Sequence, residues 1–252
     1  MVVLIFSNFI DMVKVLSVVC AREGSKGLSN KCVAKINDKM VVEYAIEYSL
    51  SLGDNVKTVV STDIEMLVDY CKRKHITYIE RIPKFCRDES KIDDALADAI
   101  ERNGQDSEYC SLVYGNIPTR YPDLFHEALN FLRKHKDYDA VVSMQNVEKF
   151  HPEWMFDYNE EVLPMATESH YRRQSLPQKM IHDGHTLIFE KDGFSQRYRG
   201  EQPYDKKKRY SIFGTKFKPL INDEVIVDID TRKDLILAEA VIQKSIQEYF
   251  KS

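Results

Sequence analysis

A short loop near the start of the chain combines glycines with positive charge. It extends from Ala21 to Lys31, reads Ala-Arg-Glu-Gly-Ser-Lys-Gly-Leu-Ser-Asn-Lys, and follows the apolar run Val15–Cys20. Glycines let a backbone approach phosphate oxygens closely, and its N–H groups can then point at an anion. The loop also carries Arg22 and Lys26. This combination is typical of a triphosphate site, although an exposed turn with solvated lysines would use the same residues.

The loop matches neither of the common phosphate-binding motifs, GxGxxG and GxxxxGK[ST], which argues against a dehydrogenase or a P-loop enzyme. It lies at the carboxyl end of a predicted strand, where open α/β sheets bind their ligands. We therefore expect a different nucleotide-binding loop. The candidate substrate contacts in it are Ala21, Gly24, Ser25 and Lys31, and the candidate catalytic cations are Arg22 and Lys26.

Two acidic residues near the end of the chain, Asp228 and Asp230, are candidate metal ligands. The Val/Ile-rich run Glu224–Ile229 reads as a strand, and residues two apart on a strand share a face. Paired carboxylates suit Mg²⁺, a hard cation that prefers oxygen and keeps waters and substrate phosphates as its other ligands. Asp230 could instead belong to the start of the next helix, because Thr231 and Asp234 fit a capping box.

A third polar group is the pair Arg172 and Arg173, followed by Gln174. Adjacent arginines can bind a carboxylate or a phosphate through paired hydrogen bonds, and the glutamine adds a neutral hydrogen-bonding group. Arginines more often stay solvated on a surface, so this group alone favours neither interpretation.

An alternation of apolar runs and amphipathic helices must position these groups. Continuous Val/Ile/Leu runs are typical of strands buried on both faces, and their alternation with helices predicts a mostly parallel sheet in an α/β fold. The predicted strands are Val15–Cys20, Val56–Ser61, Ile76–Glu80, Tyr109–Tyr114, Ala140–Met144, His185–Phe189, Tyr210–Thr215 and Glu224–Ile229. The predicted helices are Val41–Leu52, Ile64–Lys74, Ile92–Asn103, Asp123–His135 and Arg232–Phe250.

The alternation stops after Met144. Residues 147–182 hold several prolines and the two adjacent arginines, and we interpret them as an insertion that forms a lid or a dimerisation contact. Residues 1–12 are interpreted as an N-terminal extension, because Met12 begins a more natural start. This leaves 13–252 as one domain that contains the insertion.

Composition limits the classes of partner. The chain has 252 residues, 43% of them hydrophobic, which is enough for a sizeable core. Its formal net charge of −4 argues against bulk binding to nucleic acid, which needs a basic face. The five cysteines have no metal-binding spacing and are typical of reduced thiols in a cytoplasmic protein. Since no apolar run approaches the roughly 20 residues that span a bilayer, no membrane partner is expected.

The motifs occur in an order that resembles a known family. They are Ala-Arg-x-Gly-Ser-Lys-Gly-x-x-x-Lys at 21–31, Val-Ser-Thr-Asp at 60–63, His-Pro at 151–152, Arg-Arg-Gln-x-Leu-Pro at 172–177 and Asp-Ile-Asp-Thr-x-x-Asp-Leu at 228–235. From about Val15 to Phe250 the chain resembles the acylneuraminate cytidylyltransferases, the CMP-sialic acid synthetase family. The resemblance implies a Rossmann-like three-layer nucleotidyltransferase fold, a homodimer built through the insertion, and CTP and an acidic sugar (a nonulosonic acid) as substrates.

The resemblance also implies roles for individual residues. Arg22, Lys26 and Lys31 would hold the triphosphate, while Asp228 and Asp230 would bind Mg²⁺. The implied reaction is attack of the sugar's anomeric hydroxyl on the α-phosphorus of CTP, with pyrophosphate as the leaving group. No residue is identified as the general base.

Further contacts follow from the same resemblance. Arg81 matches an arginine that contacts the nucleotide base. Arg172, Arg173 and Gln174 would face the sugar, partly from the partner subunit.

The chain departs from the family pattern at two places. Cys32 stands where the family usually has Asn, and residues 115–120 replace the usual Gln-Pro-Thr-Ser-Pro-Leu-Arg. Arg120 matches the family arginine, and Asn116 could replace the missing glutamine, so both are candidate substrate contacts. Because these departures affect the pocket, a different sugar acid, a different nucleoside triphosphate, and a catalytically silent nucleotide-binding homologue all stay open.

Overall fold

The computed structural model describes residues 14–24, 27–28, 30–86, 90–159, 161–164, 172–203 and 211–249. The strands in these ranges are β1 (Val15–Ala21), β2 (Lys35–Ile36), β3 (Lys39–Met40), β4 (Val56–Thr62), β5 (Tyr78–Glu80), β6 (Tyr109–Tyr114), β7 (Ala140–Asn146), β8 (Phe156–Asn159), β9 (Glu161–Pro164), β10 (Met180–Glu190) and β11 (Phe217–Ile221). The helices are α1 (Val41–Leu50), α2 (Glu65–Lys74), α3 (Ile92–Asn103), α4 (Pro122–Lys134), α5 (Lys191–Tyr198) and α6 (Arg232–Tyr249).

Seven strands form the central sheet, in the order β11-β7-β10-β6-β1-β4-β5. β1 pairs in parallel with β4 and β6, β4 with β5, and β7 with β11. β10 runs antiparallel to both of its neighbours, β6 and β7. The sheet is therefore mostly parallel, as the alternation of apolar runs and helices predicts. The reversal at β10 follows the segment that was predicted as an insertion.

Helices cover both faces of this sheet. On one face, Val15 and Val19 of β1 belong to an apolar cluster with residues of α1, α2 and α4. On the other face, Leu16 and Val18 belong to a cluster with residues of α3 and α5. Every residue of β1 is buried, which explains why its sequence reads as a continuous apolar run. The three-layer α/β architecture is confirmed.

Two predicted strands are wrong. Ser211–Phe213 form one turn of 3₁₀ helix, and the strand in this region is β11, at Phe217–Ile221. Residues 225–229 are irregular, because their backbone bonds to loop groups and not to a neighbouring strand. Val227 N–H donates to Thr119 Oγ1 (2.8 Å), and Ile229 N–H donates to the Asn116 carbonyl (3.0 Å). Buried Val and Ile side chains gave this loop the appearance of a strand.

The described part of the predicted insertion contains a small antiparallel hairpin of β8 and β9. β10 begins at Met180, so the last residues of the predicted range 147–182 belong to the central sheet. The predicted N-terminal extension, 1–12, lies outside the described residues. None of the helices in the described ranges is both long and apolar enough to cross a membrane.

Candidate active site

A cavity of about 530 Å³ opens at the carboxyl ends of β1, β4, β5 and β6. This edge of an open α/β sheet is where ligands bind in such folds. The lining residues are Cys20, Arg22, Gly24, Gly27, Lys31, Cys32, Arg81, Ile92, Tyr114, Asn116 and Asp230. Residues from the first loop, from the turns after β5 and β6 and from the end of the chain therefore share one cleft. Ala21 ends β1 at its rim and is itself buried.

The first loop contacts the acidic segment directly through its backbone. Leu28 N–H donates to the carbonyl oxygen of Asp230 (2.8 Å). A Cβ atom on Gly27 would lie 2.5 Å from that same oxygen, so only glycine allows this approach. Gly24 has a φ of 76°, a left-handed conformation that also favours glycine. The candidates Ser25 and Lys26 lie outside the described residues.

Lys31 and Asp230 form an ion pair across the cleft. Lys31 Nζ lies 2.5 Å from Asp230 Oδ1, with the Asp230 side chain 63% exposed. Asp230 does not cap α6 with its side chain. That role falls to Asp234, whose Oδ2 accepts from the N–H groups of Asp230 (3.0 Å) and Thr231 (2.7 Å). The predicted capping role of Asp234 is confirmed, and it leaves the Asp230 carboxylate available to a ligand.

Asp228 is held by Asn116. The Asn116 side-chain amide donates to Asp228 Oδ1 and, at 3.3 Å, to the carbonyl of Ile229. Asp228 reaches solvent from a recess, and desolvation by the surrounding protein raises the pKa of its carboxyl group. The nearby charge of Asp230 raises that pKa further, while Lys31 opposes the effect. Asn116 therefore fixes the orientation of this carboxylate as well as lining the cavity.

The two carboxylates fit Mg²⁺. Both supply hard oxygen donors, and a dication between them would relieve the repulsion that raises the Asp228 pKa. The described ranges hold no group of three or more side chains arranged to bind a metal ion. Two protein carboxylates are nevertheless enough for Mg²⁺, which usually takes its other ligands from water and substrate phosphates.

Arg81 also lines the first cavity. Its backbone N–H donates to the Thr62 carbonyl (2.8 Å) and its Nε to Ser61 Oγ (2.9 Å), so β4 fixes its position. Cys20 and Cys32 line the cavity nearby, and burial raises the pKa of Cys32 to about 11. The thiol that stands in place of the family asparagine is therefore neutral.

A second cavity, of about 450 Å³, adjoins the first and shares Tyr114 with it. Its lining residues are Tyr114, Ile117, Gln145, Ile181, His182, Asp183, Gly184, Ile226 and Asp228. Asp183 is fixed in this wall, because its carboxylate accepts from Ser143 Oγ (2.5 Å), His185 N–H (2.9 Å) and Asn222 Nδ2 (2.7 Å). The aspartate pair thus faces both cavities, with Asp230 in the first and Asp228 in the second.

Arg120 differs from the sequence-based prediction. It lines neither cavity, because the nitrogens of its guanidinium donate to backbone carbonyls: Nε to Ile117 (3.2 Å), Nη2 to Tyr114 (3.2 Å) and Nη1 to His185. The guanidinium also lies 5.5 Å from the ring centre of Tyr48. Burial lowers the Arg120 pKa to about 10, which leaves it charged at neutral pH. The geometry gives this arginine a role inside the fold.

Arg172 and Gln174 are exposed, and Arg173 begins a turn of 3₁₀ helix, Arg173–Ser175. Among the side chains that the structure describes, Arg172 and Gln174 are not part of the lining of either cavity.

The sequence analysis includes Asp63 in the motif at 60–63 and Thr119 in the segment 115–120, but it gives neither residue a role of its own. Asp63 Oδ1 accepts from the backbone N–H of Glu23 in the first loop (2.7 Å). Thr119 accepts from Val227 and so holds the segment that leads to Asp228. Their positions in the sequence could have indicated these roles, because each residue follows a strand that ends at the ligand-binding edge of the sheet.

Known proteins with similar sequences include cytidylyltransferases. Relatives include an N-acylneuraminate cytidylyltransferase of Streptococcus agalactiae serotype V, 28% identical over 228 residues, which are 88% of this chain and 52% of the relative. A pseudaminic acid cytidylyltransferase of Campylobacter jejuni is 24% identical over 247 residues, 94% of this chain and 100% of the relative. The chain thus spans about half the length of the N-acylneuraminate relatives it matches.

Solved structures share the fold. A CMP:2-keto-3-deoxy-manno-octonic acid synthetase complexed with CTP superposes with a TM-score of 0.68 at 14% identity, covering 92% of this chain and 99% of the other. A 4-diphosphocytidyl-2C-methyl-D-erythritol synthase from Anaerococcus prevotii has a TM-score of 0.64 at 16% identity, covering 93% and 98%. The family described as Cytidylyltransferase matches residues 16–246. The chain belongs to the cytidylyltransferase family.

Proposed function

We propose that this chain is a cytidylyltransferase that transfers CMP from CTP to the anomeric hydroxyl of an acidic sugar of the sialic acid class, with release of pyrophosphate. The family supports the reaction type. The names of two relatives, which specify N-acylneuraminate and pseudaminic acid, support the acidic sugar. The activity proposed here is that of the whole protein. The match covers 52% of the N-acylneuraminate relative and 100% of the pseudaminic acid relative.

One observation carries the proposal: a single cavity brings the cations Arg22, Lys31 and Arg81 together with Asp230 at the ligand-binding edge of the sheet. A triphosphate needs neutralising charge on its oxygens and an unobstructed α-phosphorus, and an open cleft with cations on several sides offers both. We propose that Lys26, which lies in the sequence between the lining residues Gly24 and Gly27, adds a fourth positive charge to this cavity.

The proposed mechanism depends on positioning and charge. Arg22 and Lys31 neutralise the phosphates and so stabilise pyrophosphate as it leaves. Asp228 and Asp230 would hold Mg²⁺, which when bound neutralises charge on the phosphate oxygens. Asn116 keeps Asp228 in place. Lys31 exchanges its partner on binding, because the ion pair with Asp230 gives way to a pair with phosphate.

The second cavity is the proposed sugar site. It contains Asp228 and shares Tyr114 with the nucleotide cavity, so a sugar there would present its hydroxyl beside the α-phosphate. His182 and Asp183 line it as well. Burial lowers the pKa of His182, so a neutral imidazole and an anchored carboxylate offer hydrogen bonds to sugar hydroxyls.

We further propose a homodimer in which the partner subunit supplies Arg172, Arg173 and Gln174 to bind the sugar's carboxylate. An apolar surface beside the hairpin supports this arrangement, because large exposed apolar patches mark protein interfaces. It comprises Phe150, Met155, Phe156, Tyr158 and Ile181, all exposed, with Tyr158 83% exposed. Phe150, Met155 and Ile181 line a groove of about 690 Å³.

We propose a cytoplasmic location because of the state of the cysteines. All five are free thiols and four of them are buried, which suits a reducing compartment.

Pyrophosphate release tests the function. CTP, GTP, UTP and ATP are each combined with N-acetylneuraminic, pseudaminic and 2-keto-3-deoxy-octonic acids, with and without Mg²⁺. We expect release with CTP and one or more nonulosonic acids, and only with Mg²⁺ present. Release of pyrophosphate with a nucleotide other than CTP would show that the enzyme uses a different base. Tight CTP binding with no release for any acid would identify a silent homologue.

A further inference from the structure

The first loop is anchored at both ends by hydrogen bonds to distant parts of the chain. At its start, Glu23 N–H donates to Asp63 Oδ1 (2.7 Å). At its end, Leu28 N–H donates to the Asp230 carbonyl (2.8 Å). Between these anchors lie Gly24 and Gly27, which both line the nucleotide cavity. The described residues Glu23 and Leu28 are thus held by the segment after β4 and by the carboxylate segment.

Asp63 is well placed to serve as an anchor. It directly follows β4, which lies beside β1 in the sheet, so its carboxylate reaches the loop that leaves β1. Thr62 ends the strand, and its hydroxyl accepts from Ile64 N–H (3.0 Å), which fixes the turn that carries Asp63. A hydrogen bond from a backbone N–H to a carboxylate is charge-assisted and stronger than a neutral one.

An anchor of this kind matters because the loop contains glycine. Glycine has the largest conformational freedom to lose on ordering, so a loop with two of them is costly to fix on binding. A loop that is ordered before the ligand arrives presents its N–H groups and cations in the required geometry. Loss of the anchor would therefore weaken the binding of phosphate without removing any group that touches it.

We propose that Asp63 is a positioning residue for the nucleotide: its carboxylate holds the Glu23 end of the phosphate-binding loop and does not itself touch substrate or metal. The inference rests on the proposed function, since it assigns a nucleotide to the cavity. It predicts that loss of the acceptor oxygen of residue 63 has a larger effect than loss of its negative charge alone.

The variants are Asp63→Leu, which removes the acceptor at similar size, and Asp63→Asn, which keeps an acceptor oxygen and removes the charge. Asp69→Asn, at an exposed position of α2, is the matched control. CTP affinity is measured by calorimetry with Mg²⁺ and without sugar. KM values for CTP and for the sugar acid are then taken from pyrophosphate release. Amide exchange at Glu23 reports the anchor itself.

We expect Asp63→Leu to weaken CTP binding and raise the KM for CTP about tenfold, the loss typical of one hydrogen bond to a charged group. The KM for the sugar should change much less. Asp63→Asn should lose clearly less affinity than Asp63→Leu, because its amide oxygen can still accept from Glu23 N–H without the charge. Asp69→Asn should stay at wild type, and Glu23 should lose the most exchange protection in Asp63→Leu. If Asp63→Leu does not fold, Asp63→Ala carries the same expectation.

Two results would overturn the proposed role of Asp63 and leave the proposed function intact. One is wild-type CTP affinity in Asp63→Leu. The other is an equal loss of affinity in Asp63→Leu and Asp63→Asn, which would show that the charge acts on the ligand directly. Absence of nucleotide binding by the wild-type protein would remove the proposed function and the anchor with it. Because binding is measured without sugar, a wrong choice of sugar acid does not affect this test.

Discussion

Lys31 and Asp230 form a 2.5 Å ion pair although 199 residues separate them in the chain. The contact joins the first loop to the segment that carries both candidate metal ligands. The pair keeps both charges compensated in the free protein. In the proposed mechanism the lysine would exchange this partner for phosphate, and the aspartate would exchange it for Mg²⁺.

Asp230→Asn is expected to lower turnover by at least about a hundredfold, because it would remove a charged ligand of the proposed Mg²⁺ where charge develops on the phosphates. Its stability should stay within about 1 kcal/mol of wild type, since an ion pair exposed on one side contributes little. Pyrophosphate release and urea unfolding measure the two effects. Asp106→Asn, at an exposed position, is the control. Near-normal turnover in Asp230→Asn would remove the metal assignment.

Gly27→Ala tests the contact between the loop and Asp230. The new Cβ would lie 2.5 Å from a backbone oxygen, so the loop or the Asp230 segment has to move. Misplacement of binding groups by a fraction of an ångström is costly, and we expect CTP affinity to fall about tenfold or more. Calorimetry measures the loss, with the melting temperature as the check on folding. Unchanged affinity would show that the loop binds nucleotide in a different position.

Arg120→Met is expected to destabilise the fold by about 3 kcal/mol, because three backbone carbonyls lose a charged donor at a half-buried position. Arg120→Lys should recover only part of this, since an ammonium cannot reproduce the fork of the guanidinium. Urea unfolding gives the free energies. If Arg120→Met unfolded like wild type and only the sugar KM rose, the arginine would be a substrate ligand, as the sequence suggests.

Arg120 also shows where sequence reasoning stops. A charged residue type indicates that a partner is needed, but it does not distinguish a substrate from a backbone carbonyl, because that choice depends on how β6 and β10 come together. Arg22 and Lys31 were easier to interpret, since two glycines and a preceding buried strand indicated where they lie. Asp230 also reaches the cleft, although the strand from which its position was predicted is a loop.

The sheet itself was largely predictable. β1, β4 and β6 are buried along most of their length, so their apolar runs stand out in the sequence. The direction of β10 was not predictable, because it depends on a connection without periodic pattern. Residues 225–229 were wrongly predicted as a strand, because a loop that buries Val227 and Ile229 has the same apolar sequence as a strand.

Phe150→Ser combined with Tyr158→Ser tests the proposed dimer. These side chains are 65% and 83% exposed on the surface beside the hairpin, and polar replacements should weaken an apolar interface. We expect a shift from dimer to monomer by light scattering, with a higher KM for the sugar if the partner supplies Arg172 and Arg173. Met66→Ser, at an equally exposed position on α2, is the control. A wild-type protein that is monomeric at high concentration would contradict the proposal.

His185 makes stability depend on pH. It is 1% exposed, its Nε2 accepts from Tyr121 N–H (2.7 Å), and its Nδ1 lies 2.7 Å from Thr186 Oγ1, so the neutral ring fits its partners and a second ring proton does not. Burial, and then the charge of Arg120, lower its pKa from 6.5 to about 3. Between these values the unfolded chain binds more protons than the folded one, so stability falls as pH falls below about 6.5.

His185→Gln isolates this contribution, because the glutamine carbonyl can still accept from Tyr121 and does not titrate. The slope for one such group is at most about 1.4 kcal/mol per pH unit, so wild type should lose about 2 kcal/mol more than the variant between pH 7.5 and pH 5. Above about pH 7.5 the difference between the two proteins should be constant, because the histidine is then neutral in both the folded and the unfolded state. Urea unfolding at a series of pH values measures this. Parallel curves for the two proteins across the whole range would show that His185 takes up its proton without resistance, against the buried and fully hydrogen-bonded position that the structure gives it.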